Sequence, residues 1–198
     1  MVQDPDKREP YPESLMKKEW PRTYSYLTKF RLELLSRGSK STRQLAERTA
    51  FYAMFGIGPY TISPYKVAWK GLANDIVAAV VSQTKTIFGY KMVIPLKTTS
   101  FFATNNETEA HYLCSVINST PIREFIKSFS SAGRGFGAPS VMNHVGIPKF
   151  DLKNEFQQKL AYLSKTLHHY KEQGKLDKME GLEKEVDSLV SELFGIFT

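Results

Sequence analysis

The most unusual local chemistry lies in a glycine-rich stretch, Ser130-Ser131-Ala132-Gly133-Arg134-Gly135-Phe136-Gly137-Ala138-Pro139. Glycines allow close backbone approach and positive φ angles, a guanidinium can fork onto phosphate or guanine, and a phenylalanine can wedge or stack against a base. Arg134 and Phe136 are therefore candidate nucleic-acid contacts. The same residues fit a flexible turn between packed elements, with Phe136 folded into the core. A second candidate is Tyr65 to Lys70, read as a strand. Its period of two puts Lys66 and Lys70 on one face and Tyr65, Val67 and Trp69 on the other. The lysine face is either a basic nucleic-acid surface or the solvated side of a half-buried sheet.

Other chemistry is missing. There is no Gly-x-x-x-x-Gly-Lys phosphate loop, no His-Glu-x-x-His and no nucleophile elbow. Gly56-Ile57-Gly58 begins like a dinucleotide fingerprint, but Pro59-Tyr60 follows where a helix with a further glycine is required. His168 and His169 are adjacent on a helix and point apart, and His111 and His144 have no evident carboxylate partners. All four read as surface histidines, solvated or hydrogen-bonded, rather than metal ligands. The one cysteine, Cys114, sits on the apolar side of its helix and reads as structural. It allows neither an internal disulfide nor a cysteine-rich zinc site, which fits a reducing cytoplasm. No nucleophile with its base and no acid/base pair stands out, so the chain alone is expected not to be an enzyme.

The elements that must carry these residues follow from periodicity. Three prolines among charges make residues 1–20 an irregular, little-packed arm. Tyr24, Leu27, Phe30, Leu34 and Leu35 predict a helix from Thr23 to Arg37, ending near Gly38, with Ser39 to Arg43 as a loop. Strands are predicted at Phe51 to Phe55, Tyr65 to Trp69, Asp75 to Val81, Met92 to Leu96 and Ser100 to Ala103. They are too closely spaced for crossover helices, so the sheet should be mainly antiparallel or mixed. Asn106 and Glu109 form a capping pair for a helix with Ala110, Leu113, Cys114 and Ile117 on one side. Thr120-Pro121 starts a second helix, with the threonine as cap. Phe156, Leu160, Leu163 and Leu167, then Leu182, Val186, Leu189 and Leu193, predict an antiparallel helical hairpin broken near Gly174. The expected fold class is α+β, divided into the arm (1–20), an α+β domain (21–150) and the helical hairpin (151–198).

Composition agrees with a folded chain: 198 residues, 41% hydrophobic and 24% charged. No apolar run approaches the ~18 residues of a membrane span, and the polar N-terminus has no signal-like apolar segment. No membrane partner is expected. The net charge of +7 is uneven. Residues 151–198 hold 7 Lys+Arg against 9 Asp+Glu, net −2, which leaves +9 on residues 1–150 and favours a polyanionic partner there.

Several segments, in order, resemble one family. Pro21-Arg22-Thr23-Tyr24-Ser25-Tyr26-Leu27 leading to Leu34-Leu35-Ser36-Arg37 is similar to the helix before the target-recognition region of adenine-specific DNA methyltransferases of restriction-modification systems. Phe55-Gly56-Ile57-Gly58-Pro59-Tyr60-Thr61-Ile62-Ser63-Pro64-Tyr65-Lys66-Val67-Ala68-Trp69 is similar to the first strand of their C-terminal specificity domain. Glu107 to Ile122, through Asn118-Ser119-Thr120-Pro121, resembles their two helices and the asparagine-serine break between them. Gly146-Ile147-Pro148-Lys149-Phe150-Asp151 resembles the closing motif before a helical hairpin. The Asn-Pro-Pro-Tyr motif and the S-adenosylmethionine loop of that family are missing. The resemblance therefore implies the specificity part of a larger enzyme, excised or separately encoded. It would hold no cofactor itself, while the parent enzyme uses S-adenosylmethionine. The implied partners are duplex DNA and a methyltransferase catalytic domain in cis or in trans, with or without a nuclease. Tyr60, Lys66, Lys70, Arg134 and Phe136 are the implied DNA contacts. The alternative is a non-catalytic protein-interaction module working through the helical hairpin.

Overall fold

A computed structural model describes residues 2–96, 98–129, 133–134 and 137–196. Contacts divide the chain into two compact units, residues 1–62 and 63–198, each with its own hydrophobic cluster.

In the first unit, residues 1–20 are not a loose arm. A two-stranded ribbon, β1 (Gln3–Asp4) and β2 (Glu9–Pro10), leads into helix α1 (Glu13–Glu19), and Gln3 and Met16 are buried. The predicted long helix is two, α2 (Pro21–Thr28) and α3 (Arg31–Leu35). The Thr28 hydroxyl donates back to the Tyr24 carbonyl at 2.8 Å, and the Lys29 and Phe30 amides bond three residues back instead of four. Such back-bonding competes with the helical ladder and tightens its last turn. The expected loop at Ser39 to Arg43 instead opens helix α4 (Lys40–Arg48), whose N-cap is the Ser39 hydroxyl. Phe51 to Phe55 is a turn, buried at its start and exposed at Met54 and Phe55, and not a strand. Phe51, Tyr52 and Ala53 are all buried, so the period of two fails, and its backbone is satisfied by side chains: Gln3 bonds both polar groups of Met54, and Arg37 donates to the Phe51 carbonyl.

The second unit is the α+β fold expected, with a mainly antiparallel sheet and a terminal helical hairpin. Strand β3 (Tyr65–Lys70) is the centre of a three-stranded antiparallel sheet, flanked by β5 (Ala78–Val81) and β8 (Thr99–Thr104). The strand predicted from Asp75 begins at Ala78. The Asp75 carboxylate accepts from the Ile76 amide and pairs with Arg123, so this stretch is an anchor rather than a ladder. A separate two-stranded hairpin, β6 (Gln83–Thr86) and β7 (Gly89–Met92), replaces the strand expected at Met92 to Leu96. A short pair joins β4 (Leu72–Ala73) to β9 (Gly133–Arg134).

Helix α5 (Glu107–Asn118) packs its sides against the sheet and against α8 (Glu155–Glu172), which pairs with α9 (Glu180–Leu193). As the middle layer it is buried nearly all round, with His111, Tyr112, Cys114, Val116 and Ile117 below the surface. Its cap is more elaborate than a simple box. Asn106 accepts from the Thr108 and Glu109 amides, while Glu109 takes the Thr104 hydroxyl, and Thr104 accepts from the Asn106 amide. Helix α6 (Thr120–Phe129) follows, and the short helix α7 (Pro139–Met142) lies between it and α8. Thr120 is the first residue of α6 rather than its cap, and its amide donates to Asp187 of α9 at 2.8 Å. Leu160, Leu163, Val186 and Val190 are buried in the unit's core, so the apolar stripes of the helical hairpin are already used within the unit. No helix among the described residues is long and apolar enough to cross a membrane.

Candidate nucleic-acid interface

Strand β3 ends in an apolar ring and an exposed cation. The Trp69 ring packs on Phe102 at 5.2 Å between centroids, and its indole N–H donates to the Gly137 carbonyl at 2.9 Å. This bond pins the end of the glycine-rich stretch to the sheet. The approach is so close that a Cβ on Gly137 would lie 2.2 Å from the Lys70 carbonyl oxygen, which explains the glycine there. Two residues past Lys70, β4 pairs with β9, setting Leu72 opposite Arg134 and Ala73 opposite Gly133. Lys70 is exposed. Segments some sixty residues apart in sequence are thus joined, with Arg134 opposite Leu72, two positions past Lys70. For Arg134 the backbone alone is described, and Phe136 lies outside the described residues.

Lys66 is a correction. It does not share a solvated face with Lys70: it is fully buried (0% exposed), and its ammonium donates to the Ser63 carbonyl at 2.6 Å. Burial lowers its pKa, because the charged form loses its water. Strand alternation is correct about direction, yet says nothing about what covers a face. Tyr60 belongs to the first unit, in a short 3-10 turn (Pro59–Ile62), where its hydroxyl donates to the Gly56 carbonyl at 2.5 Å.

Between Asp75 and Glu107 the charged side chains are of one sign. From Ile76 to Asn106 the chain has Lys85, Lys91 and Lys97 and no Asp or Glu. The nearest carboxylate upstream, Asp75, is held by two bonds from Arg123 and lies 3.8 Å from the Lys127 ammonium. The Arg123 hydrogen bonds hold its carboxyl below the usual range, so it stays charged and matched. Lys85 and Lys91 stand exposed on the β6–β7 hairpin, which periodicity could not reveal because Gln-Thr-Lys-Thr has no apolar member.

The histidines and the cysteine serve the interior. His111 is 6% exposed, contacts the Ser164 hydroxyl at 3.2 Å and meets the His168 ring edge-on, so it is not a surface residue as the sequence suggested. Burial first, then His168, pushes its pKa down to about 4. His168 accepts the Val80 amide at 3.0 Å through Nε2, while its Nδ1 faces the Ser164 carbonyl at 2.8 Å. Cys114 is buried, with its thiol pushed up to about 12 by burial, as suits a structural residue. Among the described residues no group of three or more His, Cys, Asp and Glu could hold a metal ion. A groove of about 490 Å³ runs between β5, α5, α8 and α9. Its Asn118, Arg123, His168 and Asp187 are all engaged in bonds within the protein, so it reads as a packing groove.

No known family matches the chain in a comparison with protein families, and none of the curated proteins is similar to it.

Proposed function

We propose that this chain is a DNA-binding target-recognition module of an adenine-specific DNA methyltransferase or fused restriction-methylation enzyme, choosing duplex sequence for a catalytic domain carried elsewhere. The observation that carries the reading is the clasp of β4 on β9, which sets the Arg134 backbone opposite Leu72, two positions past exposed Lys70, and is followed by a stretch of chain, Ile76 to Asn106, with lysines and no carboxylate side chain. The ordered resemblance of residues 21–198 to the specificity region of that family supports it. In the division of labour this implies, the catalytic domain binds S-adenosylmethionine, flips the target adenine and methylates its exocyclic amine. The present module fixes register through lysine contacts to phosphate and reads base edges with loop side chains. The helical hairpin, net −2, braces the sheet instead of facing DNA.

The test is a binding titration on the parent enzyme's site and on a scrambled duplex at several salt concentrations. Affinity should fall steeply with salt for both duplexes, through counterion release. Arg134→Ala should cost roughly 1–3 kcal/mol on the preferred site alone, as for loss of a bidentate guanine contact. Equal weakening on both duplexes would make Arg134 a phosphate contact. Indifference of the wild-type chain to DNA at low salt would leave a protein-interaction module as the better reading. A calorimetric titration with S-adenosylmethionine should give no stoichiometric heat.

A further inference from the structure

We propose that the β6–β7 hairpin enters the major groove of duplex DNA tip first, with Ile87 and Phe88 leading and Lys85 and Lys91 holding the phosphates on either side. This rests on the DNA-binding reading above and names the element that makes the contact. The hairpin pairs with no other described strand, and its apolar residues join neither hydrophobic cluster: Ile87 is 93% exposed, Phe88 79% and Tyr90 70%. Large exposed apolar groups on a projecting ribbon mark a contact surface.

The tip is ordered before any partner arrives. The Thr86 hydroxyl donates to the Gly89 carbonyl at 2.7 Å and accepts from the Phe88 amide at 3.1 Å, and Gly89 takes the positive φ (+89°) that closes the turn. An isolated two-stranded hairpin is marginal in water, so a turn held this firmly reduces what a partner must still order. The register then sets the chemistry by depth. Lys85 stands opposite Tyr90, and Thr84 opposite Lys91 one step further from the tip. Each step along a strand is about 3.4 Å, and the groove is about 8.5 Å deep and about 12 Å wide, room for a two-stranded ribbon. The turn and the Lys85–Tyr90 pair therefore fit below the rim, and the Thr84–Lys91 pair reaches the level of the phosphates. Neighbouring pairs in a ribbon face opposite sides, so the two lysines reach opposite walls of the groove. The stretch from Ile76 to Asn106 has no Asp or Glu to repel phosphate. Gln83 and Thr84 add hydrogen-bonding groups at and just outside the level of the phosphates, which does not suit an acyl layer.

The experiment uses the full chain, with fluorescence anisotropy on a labelled mixed-sequence duplex across a salt series and sedimentation with phosphatidylserine vesicles in parallel. The substituted residues are exposed, and circular dichroism checks that each variant keeps the fold. Lys85→Ala/Lys91→Ala should lower the salt slope by about two. Phe88→Ala should weaken duplex binding roughly tenfold with the slope unchanged, the low end for losing one buried aromatic contact. If the wild type binds duplex and these variants match it in affinity and slope, the hairpin proposal is overturned while the DNA-binding reading stands. If the wild type fails to bind duplex at low salt, both are overturned. Vesicle binding that Phe88→Ala abolishes, without duplex binding, would assign the hairpin to a lipid surface and overturn the proposal.

Discussion

Lys66 and Lys70 show how far apart two residues on one strand face can be in role. Lys70 is open to solvent, whereas Lys66 is buried on the Ser63 carbonyl. Lys66→Met should therefore leave DNA affinity and its salt slope unchanged, while Lys70→Ala should lower the slope by about one if it makes one phosphate contact. A lowered slope for Lys66→Met would mean that its ammonium reaches DNA after all. His111 supplies a pH dependence. Its folded pKa of about 4 lies below the ordinary 6.5, so between those values the unfolded chain binds the proton more readily. Stability is full above about pH 6.5 and is lost as pH falls towards 4. The groups facing it are His168, Glu107 and Lys165, and only Glu107 favours the charged form. Unfolding free energies from denaturant titrations at pH 7 and pH 5 should differ by about 2 kcal/mol more in the wild type than in His111→Gln. Equal differences would sink the assignment.

At the scale of elements, the open edge of the sheet is closed by side chains. Among the described strands, β5 pairs with β3 alone, on one side. On the other, the Asn118 amide both accepts from the Ala78 amide and donates to the Ala78 carbonyl, each at 2.8 Å, and His168 accepts from Val80. The two side chains imitate a fourth strand and remove an edge that could recruit another chain. Asn118→Ala would leave the Ala78 amide unpaired and its carbonyl with only the Cys114 thiol at 3.5 Å, at a cost of roughly 1–3 kcal/mol. Thermal unfolding of this variant measures it, and a loss below about 0.5 kcal/mol would mean that water replaces the amide without penalty. Asn118 belongs to the asparagine-serine break by which the sequence resembled methyltransferase specificity domains. The same residue ends α5 and closes the sheet.

On the scale of the whole molecule, two separate cores imply two folding units. The larger cluster runs from Tyr65 to Phe194 and draws nothing from residues 1–62. The sheet, the α5 cap and the helical hairpin are likewise complete within residues 63–198. A fragment of residues 63–198 should unfold in one cooperative transition and retain its near-ultraviolet dichroism. A fragment with secondary structure but no cooperative transition would show that the first unit is needed for its packing. The positive charge that the proposed function uses in this unit lies before residue 151, ahead of the acidic hairpin.

The amino-acid pattern alone determined what depends on neighbours along the chain. Alternation gave β3, a run rich in aromatic residues gave β8, three-to-four spacing gave α5, α6, α8 and α9, and Asn106 marked a helix start, because each of these signals sits within a few residues. The charge asymmetry and the structural role of Cys114 were legible for the same reason. Tertiary structure decided whatever depends on distant partners. Gln3 and Arg37 satisfy the backbone of the turn that begins at buried Phe51, and Asp187 serves the first amide of α6. Lys66 is buried although its strand face was read correctly, and His111 is interior because α5 is a middle layer. The β6–β7 hairpin escaped notice because its residues bury nothing, so no hydrophobic period marks them. The pairing of Leu72 with Arg134 closes a loop of some sixty residues, and no local pattern encodes such a closure.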